Sequence, residues 1–338
     1  LASSAASDVY KRQIDDYPML LNGEVWPRNA NWRYQGLTAL HTAIAQSLNT
    51  CAVRTNLAYG VSNSYDFLVD KLGFENLTYT DSQQVGNMAL GGFEKGVTTE
   101  EMSAAFATFV NEGVYTKPRT FIRVEDANGN VVLENEAQST VAMKNTTAAI
   151  INHLLQEAAL NGTGYEAQFS GMHIAGKTGS TNSNKDRYFV GYTPYYSCAV
   201  WAGYEHNQRI VASGNPCSAV FRKVMSAIHE DLPDKDFFSC SGLTSVAVCA
   251  DSGMLASENC ALDVRGSRVY TALVAADNAP TAVCTMHTAP TYTVNMADSD
   301  GNVTTVTGSV LNYQRELIEG HDEIVVEDAF MTVSYTHL

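Results

Sequence analysis

GMHIAGKTGST, residues Gly171 to Thr181, admits two incompatible readings, and the fold follows from which one holds. Gly171, Gly176, Lys177 and Thr178 match the spacing G-x-x-x-x-G-K-[ST] of a phosphate-cradling loop. As extended chain, the same residues make a strand that presents Lys177 beside a bare Gly179. A phosphate loop must leave a buried strand, wrap phosphates with backbone N–H groups and enter a helix at its Lys-Thr. Before Gly171 stands YEAQFS, which is no buried strand, and Met-His-Ile-Ala between the glycines is extended and apolar. After Thr178 stands GSTNSN, which is hostile to a helix. No later apolar strand ends in an Asp suited to magnesium. The loop match is a coincidence of spacing, and the strand reading stands.

Working outward, RYFVGYT and SCAVWAGY continue the strand pattern, with a Pro194 turn between them. AVFRKVMSAIHE reads as the helix that closes the unit before Pro233. Upstream, GLTALHTAIAQ (Gly36 to Gln46) has helical apolar spacing with a start signal at Thr38. A second helix is expected from Thr50 to Tyr59, capped by Asn49. SYDFLVDKL stops at Gly73, and TTEEMSAAFATFVNEG opens on a Thr98/Glu101 capping box and stops at Gly113. TFIRVED and VVLEN flank an Asn128-Gly129 turn and read as a hairpin. TTAAIINHLLQEAAL is an amphipathic helix ending in Asn161-Gly162-Thr163-Gly164. Helices on either side of turn-connected strands imply an α/β (α+β) fold: an antiparallel sheet flanked by helices, with a small C-terminal appendage.

The ends carry a separate signal. DVYKRQ (Asp8 to Gln13) reads as the translation of a sequencing adapter, and VSYTHL (Val333 to Leu338) as its complementary strand in another frame. Residues 1–13 and 333–338 are therefore expected to be artefactual, and the rest a fragment of a longer gene. Residues 14–235 read as one domain, 236–290 as a cysteine-bearing extension, and 291–332 as a linker or part of a further small module. The 338 residues carry a formal charge of −15, which argues against a nucleic-acid partner, because phosphate binding needs a basic face. No run of 18 apolar residues is present, so this stretch does not itself span a membrane. Of seven cysteines, Cys51, Cys198 and Cys217 sit in apolar, periodic segments and read as small core residues. Cys240, Cys249, Cys260 and Cys284 cluster late in the chain, without a C-x-x-C or His pair at zinc spacing. Disulfides, of open pairing, are expected there in an extracytoplasmic setting, and no metal or other cofactor.

Lys177-Thr178-Gly179 is also the K-T-G triplet of penicillin-reactive serine acyl-transfer enzymes. KTGSTNSNKDRYFVGYTP, WPRNANWRYQGLTALHTAIAQSLNT and LGGFEKGVTTEEMSAAFATFVNEGVYTKPR all resemble segments of one family. That family is the class A penicillin-binding proteins, in their transpeptidase domain. NGTG, CADSGMLASENC and PTAVC resemble its Firmicute-type members, and the likeness runs from about Trp26 to His287. Tyr188 stands where Trp is commoner, and Ser180 where Thr is.

The resemblance implies the penicillin-binding-protein/β-lactamase-like transpeptidase fold, and D,D-transpeptidation of peptidoglycan stem peptides ending in D-Ala-D-Ala. β-Lactams would act as mimics of that substrate. It places the S-x-N motif at Ser47-Leu48-Asn49, at a junction between two helices, with Ser47 relaying a proton to the leaving amine beside Lys177. Asn49 would bind the stem-peptide amide, and Thr178 and Ser180 the terminal carboxylate. Gly179 keeps the strand bare, and the Ser180 N–H would form half of an oxyanion hole. The family's S-x-x-K, which bears the acylated serine, occurs nowhere in the 338 residues. The nucleophile is therefore unknown here and the fragment is expected to be inactive, whereas the parent would act outside the cell membrane, anchored through a missing N-terminal segment behind a glycosyltransferase domain. The alternatives are a serine β-lactamase or carboxypeptidase of the same superfamily, and a degenerate wall-binding domain.

Overall fold

The computed structural model describes residues 13–21, 23–263, 266–288, 291–297, 303–309 and 312–313. The adapter-like ends lie outside the described residues except for Gln13. At the centre is a three-stranded antiparallel sheet made by Ala175–Ser180, Asp186–Tyr192 and Ser197–Gly203, with Asp186–Tyr192 in the middle. Lys177 pairs with Val190, Thr178 with Phe189 and Ala175 with Tyr192. Strand residues alternate faces, so Ala175, Lys177, Val190 and Tyr192 share one side and Thr178 and Phe189 the other.

Each face is covered by a helix. Against the Lys177 side lies a central helix, Asn145–Leu160, whose Ile150, Leu154 and Ala158 are buried beside Ala175 and Tyr192. Fully burying a side chain of Leu or Ile size contributes about 1.5–3 kcal/mol, so this contact anchors the domain. The Tyr192 hydroxyl donates to Asn152 Oδ1 (2.5 Å), and Asn152 Nδ2 donates to the Phe109 carbonyl (3.0 Å). On the opposite face Phe189 packs edge-on against Phe221 of the Pro216–Ile228 helix, ring centroids 4.7 Å apart. That helix starts at Pro216, with the Asn215 side chain accepting from the Cys217 N–H.

Local signals hold where the chain's own neighbours decide the outcome. Thr98 and Glu101 form the expected capping box for the Thr99–Val110 helix, and Gly129 turns the hairpin of Arg123–Glu125 and Val131–Glu134 at φ 82°. Elsewhere tertiary pairing overrides propensity. Gly36–Ala39 is a strand paired with Gln13–Asp16, and the helix starts at Leu40. Thr38 therefore caps nothing, and its hydroxyl donates to the Gly36 carbonyl (2.8 Å).

The cysteine expectation is half corrected. Cys51 and Cys217 are buried core residues and Cys198 is half-buried, but all seven cysteines are free, so no disulfide links the late group. Burial pushes the Cys51 thiol up to about 12, which makes it unreactive. A hairpin of Leu243–Cys249 and Val269–Ala275 lays Val248, Ala272 and Val274 into the same core as Leu40 and Ile150. Beyond it, Thr291–Ala297 pairs with Val303–Ser309.

Candidate active site

Ser47 sits in the two-residue link between the helices Leu40–Gln46 and Asn49–Tyr59. The link is sharp because Ser47 takes a left-handed conformation, φ 58° and ψ 49°, which is uncommon outside glycine and asparagine. Its N–H donates to the Ile44 carbonyl (3.1 Å), and the Leu48 N–H to Ala43 (2.9 Å), which closes the first helix. The turn points the Ser47 hydroxyl at the edge strand of the sheet. There Lys177 Nζ donates to Ser47 Oγ at 2.8 Å, across 130 positions of sequence. The same ammonium donates to the Thr178 carbonyl at 3.1 Å.

Lys177 is half-buried, and burial pulls its ammonium down to about 8 from the ordinary 10.5. Desolvation of the charged form is the cause. Near pH 7 such a group is still mostly protonated, yet it gives up its proton far more readily than a surface lysine. A lysine in this state can donate to a hydroxyl oxygen, stabilise negative charge on it, and exchange a proton with it.

A glycine turn holds the two halves together. The Thr163 N–H donates to the Ala45 carbonyl in the last turn of the first helix (3.1 Å), and the Thr163 hydroxyl meets the Thr178 hydroxyl at 2.7 Å. Thr163 thus bridges the helix that precedes Ser47 and the strand that carries Lys177. Gly162 makes this approach feasible, since a Cβ there would lie 2.3 Å from the Ala45 carbonyl oxygen. The NGTG stretch is visible in the sequence, but its bridging role is not.

Asn49 departs from the capping expectation. It is the first helical residue, its side-chain amide donates to the Arg28 carbonyl (2.8 Å), and Leu48 occupies the cap position without a side-chain bond. The cap is supplied from outside by Asn29, whose Oδ1 accepts from the N–H groups of Asn49 (2.9 Å) and Thr50 (3.4 Å). Asn29 Nδ2 in turn donates to Asp16 Oδ1 at 2.7 Å, and Thr50 also donates its hydroxyl to that carboxylate. Asp16, Asn29 and Thr50 are all buried. Nothing local in their sequence marks them as support for the Ser47 turn.

Ser180 ends the edge strand in an exposed position, its hydroxyl accepting from Arg187 Nη1 (3.1 Å). Gly179 follows Thr178 along the free edge, for which the sheet offers no further partner among the described residues. Ser47, Lys177 and Thr178 are thus gathered at one edge, Asn49 starts the next helix with its amide on the Arg28 carbonyl, and Gly179 and Ser180 extend the rim. Unpaired strand edges accept an added extended peptide through main-chain hydrogen bonds.

Comparison with known proteins identifies the family. The model of the penicillin binding protein transpeptidase domain matches residues 6–226, and that of the penicillin-binding protein 1A C-terminal domain matches residues 239–289. Penicillin-binding protein 1A of Clostridium perfringens is 35% identical over 285 residues, covering 82% of this chain and 34% of the relative. The Clostridium novyi protein of the same name is 35% identical over 271 residues, 78% of this chain and 31% of the relative. The chain therefore spans about a third of the length of these relatives. Among solved structures, penicillin-binding protein 1A from Haemophilus influenzae superposes with TM-score 0.67 at 20% identity, over 83% of this chain and 47% of that one. PonA1 from Mycobacterium tuberculosis, solved in complex with penicillin V, gives 0.56 at 22% identity over 71% and 72%. With a transpeptidase-domain match over residues 6–226 and 35% identity to relatives over most of its length, the chain belongs to the penicillin-binding protein transpeptidase family.

Proposed function

We propose that this chain supplies the proton-relay and substrate-lining half of a peptidoglycan D,D-transpeptidase site. The Lys177–Ser47 hydrogen bond carries the reading, because it joins K-T-G to S-x-N across 130 positions at the free edge of a sheet. A stem peptide ending in D-Ala-D-Ala lies along the edge strand, with Gly179 leaving room and the Thr178 and Ser180 hydroxyls facing its terminal carboxylate. Ser47 passes a proton to the departing D-alanine amine, and Lys177 stabilises the hydroxyl oxygen as it does so. Asn49 binds the stem-peptide amide once its own amide leaves the Arg28 carbonyl. The Ser180 N–H contributes to the oxyanion hole.

The acylated serine comes from an S-x-x-K segment outside this sequence, so the chain by itself forms no acyl-enzyme. β-Lactams occupy the same edge. The full protein works on the outer side of the membrane, anchored and joined to a glycosyltransferase domain upstream. Fluorescent penicillin tests this reading. The isolated chain is expected to remain unlabelled, whereas the protein completed with its upstream segment is labelled in a gel. Lys177→Ala in the completed protein slows labelling by orders of magnitude. Unchanged labelling in that variant, or labelling of the isolated chain, overturns the assignment.

A further inference from the structure

Outside the Ser47–Lys177 edge, three thiols and one imidazole converge at the end of the C-terminal hairpin. Cys249 ends the Leu243–Cys249 strand, Cys260 lies in the short helix Glu258–Leu262, and Cys284 and His287 follow as C-x-x-H. All four are buried, and their ligand atoms lie within 4.8 Å of one another. His287 Nδ1 stands 3.5 Å from Cys249 Sγ and 3.5 Å from Cys284 Sγ. We infer that these four residues form a tetrahedral Cys3His site for a structural zinc ion.

Three observations carry this. First, zinc–sulfur and zinc–nitrogen bonds of about 2.3 and 2.0–2.1 Å at tetrahedral angles require S···N edges of about 3.5 Å, the spacing found at both thiols. Second, the imidazole is oriented as a ligand. Its Nε2 faces Asp263 Oδ2 (3.0 Å) and Asp251 Oδ2 (3.2 Å), which holds the proton on Nε2 and leaves the Nδ1 lone pair aimed at the thiols. Asp251 is itself clamped by Arg268 through two 2.9 Å bonds. A carboxylate behind a histidine is the usual outer support of a zinc ligand. Third, the buried apolar cluster at this end of the hairpin consists, among the described residues, of the three cysteines, backed by half-buried Ala256, Val269 and Met286. Soft thiolates with one imidazole select zinc among common divalent ions. Binding releases the three thiol protons to solvent, and the metal joins segments 38 positions apart.

The test is metal content and spectroscopy on the full chain, purified under reducing conditions. One zinc per chain is expected by elemental analysis. The metal-free chain titrated with Co2+ should show tetrahedral d–d bands and thiolate-to-metal charge transfer, saturating at one equivalent. Cys260→Ser should lower the charge-transfer intensity and weaken zinc binding severely, while Cys198→Ser leaves both unchanged. Asp263→Asn keeps all four ligands and should weaken binding by roughly 10–100-fold. Failure of the reduced, folded chain to take up Zn2+ or Co2+ overturns the site, as does wild-type affinity in Cys260→Ser. So does a stable disulfide among Cys249, Cys260 and Cys284 combined with no uptake after reduction.

Discussion

Asn29 Oδ1 accepts hydrogen bonds from the backbone N–H groups of Asn49 (2.9 Å) and Thr50 (3.4 Å), although it lies about twenty positions upstream of them. The Ser47 turn is therefore fixed by a residue from another loop, and that residue is held by buried Asp16. A helix start normally finds its cap in the preceding residue. Here that residue is Leu48, buried and without a hydrogen-bonding side chain.

Asn29→Ala should consequently destabilise the domain more than removal of an ordinary cap. The loss strips the helix of its acceptor and leaves Asp16 Oδ1 with one donor fewer in a buried site. The expected cost is about 2–3 kcal/mol, read as a lower midpoint in chemical denaturation. A variant that unfolds with the wild-type midpoint would show that the cap is not supporting the turn.

Lys177 predicts a pH signature. Its folded-state value near 8 lies below the ordinary 10.5, because burial disfavours the charged form. Between those values the unfolded chain holds a proton that the folded chain has released, so stability from this group rises with pH across the window. Below about 8 both states are protonated and the penalty is fully present. Lys177→Met removes it, so the variant should gain about 1–2 kcal/mol on the wild type near pH 7. That gain should narrow as pH climbs from 8 towards 10.5, measured by urea unfolding of the two proteins side by side. A constant difference across the range would contradict a half-buried lysine held below its ordinary value.

Gly162 and Gly92 make a paired test of backbone approach. A Cβ at 162 would sit 2.3 Å from the Ala45 carbonyl oxygen and 2.8 Å from that of Ala158, whereas at 92 nothing lies within 4 Å. Gly162→Ala should cost about 1–3 kcal/mol through the clash and, in the completed protein, slow acylation by moving the Thr163 bridge. Gly92→Ala should be neutral or stabilising by up to about 1 kcal/mol. Calorimetry on both variants checks the contrast, which fails if the two behave alike.

Tyr192→Phe isolates one buried polar contact. It deletes the hydroxyl that donates to Asn152 Oδ1 at 2.5 Å and leaves that oxygen unpartnered in the core. A loss of about 1–3 kcal/mol is expected. Adding Asn152→Leu to the same chain should return less than the sum of the single losses. Additive losses in a double-mutant cycle would mean the two residues are not coupled.

The sequence by itself determined what neighbouring residues settle between them. Lys177-Thr178-Gly179 reads as a strand because GSTNSN cannot continue as a helix. Thr98 with Glu101, and Asn128 with Gly129, carry a helix start and a turn in a few letters, and the structure contains both. The apolar period of the central helix, and with it the covered sheet, is likewise written along the chain.

Only the tertiary structure decided which distant groups meet. Thr38 reads as a helix start, yet pairing with Gln13–Asp16 draws its segment into a strand. Asn49 reads as its own helix's cap, yet Asn29 reaches the free N–H groups first and Asn49 turns to Arg28. Cys249, Cys260 and Cys284 form no C-x-x-C pair and read as disulfide partners, yet the hairpin brings them to one point as free thiols beside the His287 imidazole. The common reason is chain closure. A capping box is decided within four residues, whereas a hydrogen bond across 130 positions exists only once the core on both sides has placed its partners.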